Sequence, residues 1–284
     1  MRKYPFTLRF WLMLSTFIIA LREGLEACLI VGILVAYIVK TNRKGYLKPL
    51  WTGVITAVIA SIALGAFLTM TSVSLSDSGQ ELFAGVTSFI AVALVTWMVF
   101  WMKRTARTLR NELHGKLDTA VATGPLALAG VAFIAVIREG LETSLFVYTN
   151  FQTVADVTSS TIGLLLGFTV SIVLGYLIYK SAIRLNLAKF FTYSGVALII
   201  VAAGVLSYGI HEFQELGYLP GPDAFAWDVT SFIAKDSILG ASLSGTIGFD
   251  TTTSWLQLAV YVLYLGAVLV PYLSKPRVKT SVNA

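Results

Sequence analysis

The 284-residue chain predicts an all-α integral membrane protein built as a single membrane domain. Seven transmembrane helices are expected, arranged as a 3+3 inverted repeat plus one, with the N-terminus outside and the C-terminus cytoplasmic. Three observations predict this. There are apolar runs of bilayer length, basic residues are unevenly distributed between them, and one charged pentapeptide occurs twice at mid-run. Hydrophobic residues make up 56% of the chain and charged residues 13%, where a soluble domain carries about 25% charged. So apolar a chain cannot cover a water-facing surface, which excludes a soluble globular enzyme. Disorder needs low hydrophobicity and high charge, so it is excluded too. The 23 Gly and 12% aromatic residues fit transmembrane helices. The single cysteine, Cys28, permits no intrachain disulfide and reads as a small buried thiol.

Seven apolar runs lie near 10–39, 50–71, 82–102, 124–150, 160–180, 190–210 and 255–273. Each is near or above the roughly 20 residues that cross about 30 Å of hydrocarbon as a helix. None alternates apolar with polar at period two, which excludes barrel strands. The first run follows Arg2, Lys3 and Arg9, a pattern shared with secretory leaders. No small-residue cleavage site follows, and the apolar run resumes to Val39, so one long, tilted or broken helix is expected. Residues 10–102 then form the first three-helix repeat and 124–210 the inverted second. Residues 211–254 form an outer segment, and 255–273 form the seventh helix.

Basic residues assign the orientation. The loops after runs 1, 3, 5 and 7 hold 15 Lys and Arg, and the opposite side holds four: Arg2, Lys3, Arg9 and Lys235. The positive-inside rule puts the 15 in the cytoplasm. Nine of the 15 acids fall on the outer side. The net charge of +6 is therefore a topology signal rather than a nucleic-acid footprint. The three N-terminal basic residues run against the assignment, and an even number of spans, with run 1 as two segments, stays open.

Four further carboxylates lie inside the apolar runs. Arg22-Glu23-Gly24-Leu25-Glu26 sits near the middle of run 1, and Arg138-Glu139-Gly140-Leu141-Glu142 near the middle of run 4. Ser61-Ile62-Ala63-Leu64-Gly65 and Ser171-Ile172-Val173-Leu174-Gly175 echo each other in the run that follows each motif. Three spans is an odd number, so the second triplet is inserted upside down. Transporters built this way place their sites near the midplane, where the repeats meet. On a helix, i and i+3 share a face, as do i and i+4, so each pair of glutamates projects together with its arginine one turn away. Each intervening Gly allows close helix approach.

A charge at the bilayer centre costs roughly 2.5–3.5 kcal/mol on insertion scales. These six residues must therefore face one another, water or an ion. Four carboxylates and two arginines leave a formal charge of −2, which a metal cation would compensate. The candidate ligands are almost all oxygen: Glu23, Glu26, Glu139 and Glu142, with Thr143, Ser144 and Tyr148 nearby. Oxygen donors select hard cations and disfavour Cu(I). Iron, manganese and calcium are not separated on this ground. A purely structural ion pair would need no surplus acid.

The doubled Arg-Glu-Gly-Leu-Glu resembles the signature of the oxidase-dependent iron transporter family, the iron permeases, and is closest to its bacterial branch. Glu81-Leu82-Phe83-Ala84-Gly85 and Leu94-Val95-Thr96-Trp97-Met98-Val99-Phe100-Trp101-Met102 resemble the family's third span. Ile183-Arg184-Leu185-Asn186-Leu187, Val201-Ala202-Ala203-Gly204 and His211-Glu212 resemble later segments. The resemblance implies an iron permease of the cell (cytoplasmic) membrane and not an enzyme. Iron, ferrous or ferric, would be the transported substrate, with no permanently bound cofactor. It also implies Glu23, Glu26, Glu139 and Glu142 as iron ligands, with Arg22 and Arg138 as essential companions. The partners it implies are an extracytoplasmic iron-binding protein and a haem peroxidase resembling EfeO and EfeB.

His211, Glu212 and Glu215 could receive iron at the outer mouth, against the plainer reading of a solvated helix end. Asp77 and Glu81 read as cap and first-turn acid of the third helix. The basic run 103–116 reads as a topology determinant that contacts lipid headgroups. Trp97 and Trp101 read as packing and interface anchors. Three competitors to iron transport remain: a carrier of another hard divalent cation such as manganese, a carboxylate-bridged metal enzyme, and a structural subunit. The enzyme would call for Glu-x-x-His pairs, and the spans contain none. No phosphate-binding Gly-x-x-x-x-Gly-Lys-Ser/Thr occurs either.

Overall fold

A computed structural model describes residues 6–105, 109–153, 157–180, 186–233, 243 and 247–274. Arg2, Lys3, Arg107, Asp156, Arg184, Lys235, Asp236, Lys275, Arg277 and Lys279 lie outside the described residues. So do the side chains of Arg9, Arg110, Glu112 and His114. The elements in order are α1 (Phe6–Lys40), a 3-10 turn (Lys44–Tyr46), α2 (Leu47–Ser74), α3 (Asp77–Thr105), α4 (Leu109–Thr123) and α5 (Pro125–Thr153). They continue with α6 (Val157–Tyr179), α7 (Leu187–Glu215), strands β1 (Phe225–Asp228) and β2 (Thr252–Ser254), and α8 (Trp255–Leu273).

Seven of these helices coincide with the seven apolar runs. The other, α4, occupies the basic connection that was read as a topology determinant. Its Leu113, Leu117, Ala120 and Val121 are buried against Ile30, Leu34 and Ile38 of α1 and Leu128, Ala132 and Val136 of α5. Sequence reasoning passed over it because 15 residues of mixed polarity carry no bilayer-length signal. The helix ends follow local chemistry. Gly124, at φ 132°, and Pro125 at the first position of α5 break the chain between α4 and α5. Asn186 caps α7 by accepting from Lys189 N, and Ser254 and Gln257 form a reciprocal capping box at α8. Asp77 lies in the first turn of α3, with Lys103 and Arg104 in its last, matching the helix dipole.

Helices α2, α3, α6, α7 and α8 are long and apolar enough to cross a membrane by composition. In α1 and α5 the charged motif at mid-helix lowers that count. The outward faces of α2, α6 and α8 expose Ile55, Ile59, Ile62, Met70, Leu165, Ile172, Val262 and Leu263, as a lipid-facing surface requires.

The packing is reciprocal. The closest partner of α1 is α6, that of α2 is α5, and that of α3 is α7. Along the α1–α6 seam, Gly24 of α1 meets Ser171 and Phe168 of α6, and Cys28, which is half-buried, meets Gly175. Along the α2–α5 seam, Ser61 of α2 meets Gly140 of α5, and Gly65 meets Ser144. Each motif helix thus lays its motif glycine against the echoed serine of the other half. Ser144 Oγ fastens the second seam by donating to Ser61 O at 2.7 Å. At the far end of α8, Tyr272 donates to Phe191 O at 2.9 Å while Lys103 of α3 reaches Tyr272 O, so α3, α7 and α8 are clasped together.

Any side chain at position 140 would collide with Ser61. Gly140→Ala is therefore expected to cost about 1–3 kcal/mol through overpacking. Ser61→Gly in the same chain should recover most of it, measured by thermal unfolding in detergent.

In the outer segment, β1 and β2 pair antiparallel, and Trp227 stacks on Phe249 at 5.7 Å. Gly248, at φ 68°, sits backbone to backbone on Gly204, well inside α7, and Tyr261 of α8 donates to Ile247 O. The chain around Ile247 and Gly248 is thus held against both α7 and α8.

Candidate metal centre

The helical spacing puts Glu23 and Glu26 on one face of α1, and Glu139 and Glu142 on one face of α5. Helices α1 and α5 run in opposite senses. Ser15 of α1 bonds Asn150 of α5 at one end, and Leu34 and Ile38 share a core with Leu128 and Ala132 at the other. The two motifs meet where the helices cross. Glu23, Glu26 and Glu139 each bring a carboxylate oxygen within 4.8 Å of the other two. That spacing suits one ion bound at about 2.0–2.6 Å to each oxygen. Glu142 lies outside this triangle but stays in the same charged cluster. All four glutamates are more than nine-tenths buried.

The arginines partly neutralise the cluster. Arg22 donates to Glu23 at 2.6 Å and approaches Glu26 at 2.9 Å. Arg138 approaches Glu139 at 3.4 Å and Glu142 at 3.3 Å. After these contacts the Oε2 atoms of Glu23, Glu26, Glu139 and Glu142 still have no hydrogen-bond partner among the described residues. A buried carboxylate oxygen without a partner is costly, and a cation bound between the four would remove that cost.

The other oxygens separate into two groups. Thr143 Oγ1 donates to Glu139 O of its own helix, and Ser144 Oγ to Ser61 O and Gly140 O, which orients both hydroxyls and leaves each oxygen its lone pairs. The Tyr148 hydroxyl is buried with no partner among the described residues and packs edge-on to Phe83. At the outer end of α7, His211 and Glu215 stand 3.8 Å apart. Glu212 accepts a hydrogen bond from the Tyr208 hydroxyl one turn back and lies within electrostatic reach of His211, Glu81 and Glu215. The three outer residues thus stay in one charged group, with Glu212 also held by Tyr208. Sequence reasoning missed one contact entirely. The Arg138 guanidinium lies over the Trp101 ring at 3.8 Å, with Trp97 at 5.4 Å. The i, i+4 tryptophan pair was visible, but nothing in the sequence tied it to a cation on another helix.

A sequence model of the Iron permease FTR1 family matches residues 13–278. Among curated proteins, "Ferrous iron permease EfeU" of Escherichia coli O6:H1 (strain CFT073) is 35% identical over 268 residues, covering 93% of this chain and 97% of the relative. The protein of the same name from Shigella sonnei (strain Ss046) is also 35% identical, with the same coverage. That of Yersinia pestis is 34% identical and covers 93% of this chain and 95% of its own. No solved structure matches the chain. The apolar helices and these relatives describe a multi-pass protein of the cell membrane, related to permeases and not to enzymes. With the family matched from within the first helix to beyond the last, the chain belongs to the iron permease FTR1 family.

Proposed function

We propose that this protein carries ferrous iron across the cell membrane into the cytoplasm, and that the ion passes through the carboxylate cluster where α1 and α5 cross. The observation that carries this reading is the buried triangle of Glu23, Glu26 and Glu139 with its unpartnered oxygens. The donors are hard oxygens, and the formal charge of −2 matches one divalent ion. The curated relatives are named for ferrous iron.

The reading extends to the architecture. Helices α1–α3 form one repeat and α5–α7 its inverted copy, with α8 as the seventh span, the N-terminus outside and the C-terminus in the cytoplasm. The reciprocal seams, α1 on α6 and α2 on α5, support this, as does the opposite sense of the two motif helices. Iron arriving from outside meets His211, Glu212 and Glu215 first and is handed to the central glutamates. Helix pairs then rock about the crossing, as inverted-repeat carriers do. The membrane potential or proton exchange at the glutamates supplies the energy. An extracytoplasmic iron-binding protein and a haem peroxidase deliver the ion.

The test is radioactive iron uptake in cells lacking other iron importers. The parent chain should restore uptake, and a Glu23→Gln or Glu139→Gln chain present at equal level should not. Uptake that persists in both amide variants would leave the cluster a structural ion-pair network. A hundredfold excess of manganese should leave iron uptake nearly unchanged; strong competition would favour the broader cation carrier. The outer residues give a milder expectation. His211→Ala with Glu215→Ala should raise the apparent KM a few-fold and leave the maximal rate intact, because these groups are solvated and only concentrate the ion.

A further inference from the structure

This inference rests on the reading that iron occupies the carboxylate cluster. The repeated motif offers two equivalent arginines, yet the fold holds them differently. The Arg22 side chain is 1% exposed and donates a short hydrogen bond to Glu23. The Arg138 side chain is 28% exposed, and its approaches to Glu139 and Glu142, at 3.3–3.4 Å, lack hydrogen-bond geometry: Nε and Nη2 have no hydrogen-bond partner. The face of Trp101 also lies against it, 3.8 Å from ring centre to guanidinium carbon. Trp97 stacks on Trp101 at 6.3 Å and braces it. Among the described residues no aromatic ring lies over Arg22.

We propose that Trp101 is a positioning residue for transport, giving the Arg138 guanidinium a second seat away from the carboxylates. An iron ion at the cluster and a guanidinium drawn onto Glu139 and Glu142 repel each other and compete for the same carboxylates. A guanidinium with no alternative would remain on Glu139 and Glu142 and raise the barrier to loading. An indole face attracts the cation without being a ligand that iron could take. Arg22 is then the fixed countercharge and Arg138 the movable one, leaning toward the glutamates when the site is empty and fully onto Trp101 when it is loaded.

The experiment uses the full-length protein in proteoliposomes, with ferrous iron as the only metal, and reads KM separately from maximal rate. Trp101→Leu should raise KM about tenfold, the size of a partly desolvated cation–π contact, with the maximal rate within twofold. Trp101→Phe should stay within about threefold of the parent. Equilibrium binding of ferrous iron to the purified protein should weaken in parallel. Site-specific replacement of Trp101 by mono-, di- and trifluorotryptophan keeps the shape and drains the ring's negative face, so KM should climb step by step with fluorine number. A flat fluorine series overturns the proposal even where the leucine variant folds poorly. Unchanged KM in Trp101→Leu also overturns it, as does equal loss of maximal rate and thermal stability in the leucine and phenylalanine variants. A parent protein that moves no iron removes the transport reading and this proposal together; a transporting parent with an indifferent Trp101 removes the proposal alone.

Discussion

Glu26→Gln should lower iron uptake by roughly a hundredfold or more while the protein stays in the membrane at parental level. Glu26 is a member of the carboxylate triangle, and its Oε2 has no hydrogen-bond partner among the described residues. An amide keeps the shape and removes the charge. Loss of a partner that only orients a metal ligand already costs about 10–100-fold, so loss of a ligand should cost at least as much. Folding should suffer far less, because Arg22 keeps its hydrogen bond to Glu23 at 2.6 Å. The measurement is radioactive iron accumulation normalised to membrane protein, with Glu26→Asp as the charge-conserving control, expected to retain part of the activity. Full uptake by the Gln variant would show that iron does not meet this oxygen.

The second large effect concerns stability and separates the two arginines. Arg22→Gln strips the sealed cation from Glu23 and Glu26. Breaking a buried pair by removing one partner costs about 3–5 kcal/mol, because the surviving charge stays buried and unpaired. Arg138→Gln removes a partly exposed cation held at longer range, and about 1–2 kcal/mol is expected. The check is thermal unfolding of both purified variants in one detergent, without metal. Equal losses would mean that the two motifs carry equal structural weight, contrary to the 1% and 28% exposures of their arginines.

Much of this molecule was legible from residue order. Long helices lie over the apolar runs, five of them apolar enough to cross a membrane, because a backbone in hydrocarbon must satisfy its own hydrogen bonds and a helix does so locally. The paired glutamates at i and i+3, twice, announced a buried charged cluster, since no lipid-facing helix keeps three such charges. The glycines of both motifs were read as points of close approach, and Gly24 and Gly140 are where serines of other helices press in.

Other features needed the folded chain. α4 escaped notice although Leu113, Leu117, Ala120 and Val121 stand at helical spacing, because 15 residues of mixed polarity carry no bilayer-length signal and their partners on α1 and α5 lie elsewhere in the chain. Which carbonyls orient the Thr143 and Ser144 hydroxyls, Glu139 and Gly140 on their own helix and Ser61 on α2, also came only from the packed helices. Glu142 shares its motif with Glu139, yet only Glu139 joins the triangle with Glu23 and Glu26. Two identical pentapeptides also received unequal surroundings: Arg22 is sealed and Arg138 rests on Trp101. Spacing along one helix determines which side chains leave it together, and residue order alone determined that here. How far those side chains sit from water, and which ring or carboxylate from another helix meets them, depends on where distant segments pack, so only the tertiary structure could decide it.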